Sequence, residues 1–345
     1  MNHFGFPLET ILIYVAVILL SVIIDLLGAR YGQEMTVKPA ALWSVFWIGL
    51  SMLFYLYLRL RFGTHWSDLF LVGYILEKSL SVDNLIVFMA IFSSFNIRGL
   101  LQQHILSFGI LGAIVFRILF ASVGAALFAM SPWVGMFFAG MVAWTAWKML
   151  TAGAQDDELT DYSHHWSVEW TRRILPVYPR LHGYRFILSA RMVKEALRRH
   201  PKVEMSAGGA ARYYATPALL CLMAVQVTDV MFSFDSVPAV IAVTQEPLLI
   251  YGAMIFAVLG LRSLYYVLAA LMRYLVHLSK AVVVLLFYIA FKLAVGASTA
   301  LFGWPGFHIA PTQSLLVALA ILGTGVVASL LFPGRGRGEK GAPFS

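Results

Sequence analysis

Two octapeptides hold the side chains best placed to do chemistry: Glu77-Lys78-Ser79-Leu80-Ser81-Val82-Asp83-Asn84 and Asp229-Val230-Met231-Phe232-Ser233-Phe234-Asp235-Ser236. Each sets two carboxylates six residues apart and follows the second with a polar side chain that offers an oxygen. Each also lies inside a long apolar segment, where an ionised carboxylate costs about 2.5–3.5 kcal/mol at mid-helix. Acids kept at that cost, twice and in one pattern, mark a site rather than packing. An all-oxygen set of carboxylate, amide and hydroxyl groups suits a hard divalent cation such as Mg²⁺, Ca²⁺ or Mn²⁺, not Cu⁺ or thiolate-bound zinc.

Helical geometry constrains how these groups can meet. A spacing of seven returns to nearly the same face, so Glu77 aligns with Asn84 and Asp229 with Ser236, while Asp83 and Asp235 sit about 120° away. Pro238 lacks the amide that would bond the Phe234 carbonyl, so the second helix is expected to open beside Asp235 and expose that carbonyl as a further ligand. The candidate metal ligands are therefore Glu77, Asp83, Asn84, Asp229, Asp235 and Ser236. Four carboxylates around one divalent ion leave an excess of negative charge. Either Arg117, Arg262 and Lys78 compensate it, or protons alternate with metal, since close carboxylates raise one another's pKa. The plainer alternative is a set of interhelical ion pairs to Lys78, Arg117 or Arg262.

The elements that must position these groups follow from composition. Of the 345 residues 60% are hydrophobic and 12% charged, and mean hydropathy is +0.81, which describes an all-α polytopic membrane protein. At about 20 apolar residues per crossing, nine spans are expected, near 10–29, 41–60, 69–93, 103–128, 132–152, 213–237, 248–272, 280–300 and 313–332. The N-terminus lacks a basic region followed by a small-residue cleavage site, so the first span is expected to be retained. The single cysteine, Cys221, rules out an internal disulfide and a cysteine metal cluster.

The net charge of +8 reads as topology rather than nucleic-acid binding, because Lys and Arg concentrate in alternate loops. With the N-terminus outside, the clusters at 30–38, 98, 172–212, 273–280 and 335–340 all fall on the cytoplasmic side, and only Arg59 and Arg61 fall outside. The expected partners are the lipid bilayer, a divalent cation and protons. Lys148 is expected to snorkel, Asp25 to approach the cytoplasmic interface, and Trp43, Trp47, Trp66, Trp133 and Trp304 to form interfacial belts.

The acidic pattern belongs to a longer repeat. Glu77 aligns with Asp229 and Asp83 with Asp235; Gly112-Ala-Ile-Val-Phe-Arg117 resembles Ala257-Val-Leu-Gly-Leu-Arg262, and Lys148 answers Lys292. Each half then has three spans, an odd number, so the second half is inverted relative to the first. Inverted 3+3 repeats place substrate near the bilayer midplane, at the repeat interface. The organisation expected is two N-terminal helices (1–68), a first repeat (69–152), a basic cytoplasmic linker (153–212), a second repeat (213–300), a last helix (301–332) and an unfolded tail (333–345). The linker begins acidic at Asp156, Asp157 and Glu158, continues basic and helix-compatible over 191–200, and carries His164-His165, read as a solvated pair.

With Leu76-Glu-Lys-Ser-Leu-Ser-Val-Asp-Asn84 and Thr228-Asp-Val-Met-Phe-Ser-Phe-Asp-Ser-Val-Pro-Ala239 in this order, the chain resembles the TerC/Alx family of bacterial integral membrane proteins. The resemblance runs from the first span to the ninth. It implies a nine-span inner-membrane protein associated with Mn²⁺ export and, by older naming, tellurium resistance, with Glu77, Asp83, Asp229 and Asp235 as the motif acids. One departure stands out: Gln226 occupies a position where the family often has glutamate, which lowers the charge of the site. The sequence thus points to a secondary transporter exporting a divalent cation, without a permanently bound cofactor and without enzymatic chemistry. The competing expectation is a membrane scaffold or protein-insertion factor that relies on the basic linker, with any tellurite phenotype indirect.

Overall fold

A computed structural model describes residues 2–3, 6–28, 35–152, 166–199, 211–271, 278–302 and 310–331; within these, the side chains of Asp83 and Asp235, among a few others, lie outside what is described. Asp156–Glu158, His164-His165 and the 333–345 tail also lie outside it. The chain is helical throughout its apolar segments. A short β1–β2 pairing (Asn2–His3, Phe6–Pro7) leads into α1 (Leu8–Gly28) and α2 (Val37–Phe62). Next come α3 (Thr64–Ser94), α4 (Gly99–Met130) and α5 (Pro132–Ala152). A polar segment supplies α6 (Trp166–Ile174), β3 (Ile187–Ser189), α7 (Ala190–Arg199) and β4 (Tyr213–Ala215). The chain ends with α8 (Pro217–Val243), α9 (Pro247–Val258), α10 (Leu261–Leu271), α11 (Leu278–Phe302) and α12 (Pro311–Leu331).

Six of these, α1, α2, α4, α8, α11 and α12, are long and apolar enough to cross a membrane, and α9 with α10, bent by 53° at their junction, make a seventh if the pair is one broken span rather than a re-entrant loop. α3 and α5 coincide with the other two expected spans and have the length, 31 and 21 residues. Charge in the middle of α3 and polar content in α5 make apolarity alone insufficient to count them, so nine crossings are not established on that ground. The outward faces are apolar, as lipid requires: Leu12, Leu19, Val115, Phe137, Trp144 and Leu316 are exposed.

Packing partners are exchanged between the halves. α3 packs against α8 and α9, α8 against α3 and α4, and α5 against α11. α2 braces α3 and α10, and α12 covers α3 and α11. α3 and α8, which carry the two motifs, therefore sit side by side at the centre of the bundle.

Two expectations are corrected by the backbone. α8 runs unbroken through Pro238 rather than opening beside Asp235. Its neighbours Val237, Ala239, Val240 and Ile241 are all buried, so tertiary packing outweighs the single amide hydrogen bond that proline removes. The break falls instead at Leu259-Gly260, between α9 and α10, where Gly260 has φ +77°. A Cβ there would strain the left-handed backbone and approach Trp47 Cγ to 2.7 Å. Trp47 is thus buried against the break, not placed in an interfacial belt.

The polar segment is folded rather than a bare linker. β3 and β4 pair antiparallel, and Tyr178, Leu188, Val193, Ala196 and Tyr214 form a small core beneath the amphipathic α7. Thr216 caps α8, accepting from the Leu219 amide at 3.4 Å with Pro217 in the first turn, and its hydroxyl donates to the Arg185 and Phe186 carbonyls at 2.8 and 3.0 Å. His104 of α4 stacks on Phe186, ring centroids 5.1 Å apart.

Candidate functional site

Glu77, Asp229 and Arg117 come from three different helices, α3, α8 and α4, and each lies near the middle of its helix, about 20 Å from the nearer end or slightly less at 1.5 Å per residue. Arg117 Nη1 pairs with Glu77 Oε1, and its Nη2 donates to Asp229 Oδ1 at 3.2 Å. The three side chains are at most 4% exposed, so water does little to screen them. One guanidinium thus clamps the first acid of both motifs. Two carboxylates against one cation leave the described part of the cluster one negative charge in excess, before Asp83 and Asp235 are counted.

The cluster is also rich in oxygens with nothing to accept from. Among the described residues, Glu77 Oε2, Ser81 Oγ, Asp229 Oδ2, Gln226 Oε1 and Ser236 Oγ are buried without a hydrogen-bond partner. Each such group costs about 1–3 kcal/mol if left unpaired. Helical spacing groups them: Ser81 is one turn beyond Glu77 on α3, while Gln226, Asp229 and Ser236 fall within about 80° of one another on α8. These are the atoms a hard cation would use. Ser81 was not among the sequence candidates, although its position four residues after Glu77 is the signal that places it on the same face.

Gln226 is held by α4. Its amide nitrogen donates to the carbonyls of Phe108 and Gly109 at 3.2 and 2.9 Å, and the amide lies over Gly112, where any Cβ would overlap it. A glutamate could not donate these bonds, so the amide is used structurally as well as lowering charge. Asn84 is buried on α3, and Ser233 Oγ donates to the Asp229 carbonyl at 2.9 Å.

Asp83 and Asp235 lie on α3 and α8 by their backbones; their side chains are outside the described set, and among the described residues no three of His, Cys, Asp and Glu form a group that could hold a metal. Three supporting candidates go elsewhere. Arg262 does not face the motif acids: it pairs with Asp25 Oδ1 at 3.3 Å and reaches Ser107 Oγ at 3.4 Å. Asp25 is accordingly buried at 5% exposure rather than set at the interface. Arg262 lies two residues beyond the α9–α10 break at Gly260. Lys78 Nζ donates to the carbonyls of Ala257 and Leu259 at 3.0 and 3.2 Å, capping the broken end of α9. Phe234 points outward, half exposed, with its ring edge-on to Phe120 at 4.7 Å.

The model of the integral membrane protein TerC family matches residues 62–337, which include every motif residue. The chain belongs to the TerC family. A tellurium resistance protein TerC from Serratia marcescens is 46% identical over 341 residues, covering 98% of each chain. One from an Alcaligenes species is 45% identical over 340 residues, again covering 98% of each. A putative membrane-bound redox modulator Alx from Photorhabdus laumondii is 33% identical over 305 residues, 86% of this chain and 88% of its own. No solved structure matches. The TerC relationship spans both motif helices and the segment between them, so Arg117, Gln226 and the folded insert all lie within the shared chain.

Proposed function

We propose that this TerC-family protein is an inner-membrane secondary transporter that exports a hard divalent cation, Mn²⁺ foremost, in exchange for protons. The observation that carries the proposal is the mid-helix cluster: both first motif acids on one buried guanidinium, with buried oxygens on the same two helices that have no partner among the described residues. Ion pathways through membranes are where such groups are found. In the ion-free state Arg117 offsets one of the two charges of Glu77 and Asp229; an entering divalent cation takes over that role, with Ser81, Asn84, Ser236 and the Gln226 oxygen as neutral donors. Asp83 and Asp235 complete the charge in this reading. Protons entering as the cation leaves would balance the excess negative charge of the four motif acids, which gives the exchange a physical rationale.

The exchange of packing partners between α3–α5 and α8–α11 supports the inverted repeat, and the helix broken at Gly260 supports it further, since discontinuous helices flank many transporter sites. The N-terminus is placed outside and the folded insert and C-terminus in the cytoplasm, from the distribution of Lys and Arg. A tellurite anion would be repelled by the acids, so a resistance phenotype like that in the relatives' names would arise indirectly. The scaffold reading draws on one observation, the folded insert with its own core.

Mn²⁺ binding to purified protein tests the site. Free Mn²⁺ gives a sharp paramagnetic resonance signal that broadens on binding. Wild type should bind a single ion per chain with competition by Ca²⁺ or Cd²⁺, and Asp229→Asn and Glu77→Gln should weaken it at least tenfold. Equal binding by all three proteins would remove the cluster from the proposal.

A further inference from the structure

α6 presents three distinct faces. Ser167, Val168 and Thr171 are buried, and Val168 belongs to the same core cluster as Ala215, Ala218 and Leu220 at the start of α8. Trp166, Trp170 and Ile174 follow one another at four-residue steps and are 57%, 55% and 58% exposed. Glu169, Arg172 and Arg173 are exposed on a third side. At 100° per residue the apolar stripe is centred about 107° from the buried face, and the charged side a further ~107° round.

The position of α6 identifies what meets the stripe. It lies between the end of α5 and the start of α8, packs on α8, and its continuation, Val177, bridges to Ala215 two residues before that membrane-spanning helix begins. It therefore sits where the bundle leaves the bilayer. Tryptophan is the residue of the membrane–water interface, and arginine beside it the residue that meets anionic headgroups. Arg180, Arg185, Arg191, Lys194 and Arg198 extend the exposed positive charge over the rest of the insert.

We propose that α6 is an interfacial anchor: Trp166, Trp170 and Ile174 insert at the headgroup–acyl boundary on the insert's side of the membrane, while Arg172 and Arg173 bind anionic phospholipid headgroups. The occupant is lipid rather than protein because the stripe lies on a helix packed beside the start of membrane-spanning α8 and is flanked by charge complementary to phospholipid. The anchor also has a mechanical link to the site. Phe186 of the insert packs edge-on against Phe108, ring centroids 5.2 Å apart, and the Phe108 carbonyl is one of the two that hold Gln226.

The test uses full-length protein in liposomes, in a Cys221→Ala background, with a spin label placed singly at each position from 166 to 174. Collision with oxygen reports lipid exposure, and collision with a water-soluble nickel chelate reports water. Labels at 166, 170 and 174 should favour oxygen several-fold, labels at 169, 172 and 173 should favour the chelate, and 167, 168 and 171 should be protected from both. Chelate access at 166, 170 and 174 equal to that at 169 would overturn insertion. Protection there from both reagents, with spin–spin broadening, would assign the stripe to a second copy and overturn it equally. For the headgroup half, replacing neutral lipid by phosphatidylglycerol should raise Tm of the wild type, and Arg172→Gln/Arg173→Gln should at least halve the rise. An undiminished rise would overturn the assignment of those arginines. None of these readouts depends on transport, so they stand or fall separately from the cation proposal.

Discussion

Arg117→Gln is the most informative single substitution. The guanidinium is 1% exposed and serves two carboxylates, so its loss leaves Glu77 and Asp229 buried together with no cation. Breaking one buried pair from one side costs about 3–5 kcal/mol. Two pairs share this arginine, and the glutamine restores at most part of the hydrogen bonding, so about 4–5 kcal/mol is expected when no metal is present. The same change removes the built-in competitor of a cation. Mn²⁺ should therefore stabilise Arg117→Gln more than wild type, recovering about 2.7 kcal/mol once it reaches a hundredfold excess over its dissociation constant. Unfolding in detergent, followed by circular dichroism with and without Mn²⁺, measures both effects. The control is Glu77→Gln/Arg117→Met/Asp229→Asn, which removes the three charges of the clamp and should regain much of the lost stability with little response to Mn²⁺. Arg117→Gln as stable as wild type, or destabilised but indifferent to Mn²⁺, would refute the claim that arginine and cation alternate in one place.

Other consequences can be read from neighbouring positions. Gly112→Ala pushes a methyl into the Gln226 amide and should cost about 1–3 kcal/mol, and adding Gln226→Ala should return much of it; no recovery in a thermal melt would mean the two do not touch. Gly260→Ala combines a φ of +77° with overlap on Trp47 and should cost about 2–4 kcal/mol, only part of which Trp47→Ala should recover. Lys78→Met uncaps the carbonyls of Ala257 and Leu259, so amide exchange around 258–263 should accelerate at least tenfold with little change in α11; unchanged protection would remove Lys78 from the break.

Most of the fold was readable from apolarity, because the bilayer forces helices on any spanning segment. The misplaced helix break shows the limit of that reading. Pro238 is the stronger local breaker, but α8 continues through it among buried neighbours, whereas the chain breaks at Gly260, where only glycine fits beside Trp47. Along the chain the insert between α5 and α8 looks like a linker, because three-residue strands are too short to show alternation. In the site, the type and doubling of the acids were legible. Their pairing was not: Arg117 and Arg262 look equivalent along the chain, and only three-helix packing sends one to the motif acids and the other to Asp25. Gln226 read as a lost charge, while its donation to Phe108 and Gly109 needed α4 beside it.

Mn²⁺ flux into proteoliposomes with internal pH recorded at the same time tests the central claim most directly, comparing wild type with Glu77→Gln, Asp83→Asn, Asp229→Asn and Asp235→Asn. The account predicts flux in wild type with an opposing proton movement, and loss of both in all four variants while each remains folded. Wild-type liposomes that move no Mn²⁺ under a working ionophore control, or variants that move it as fast as wild type, would contradict it.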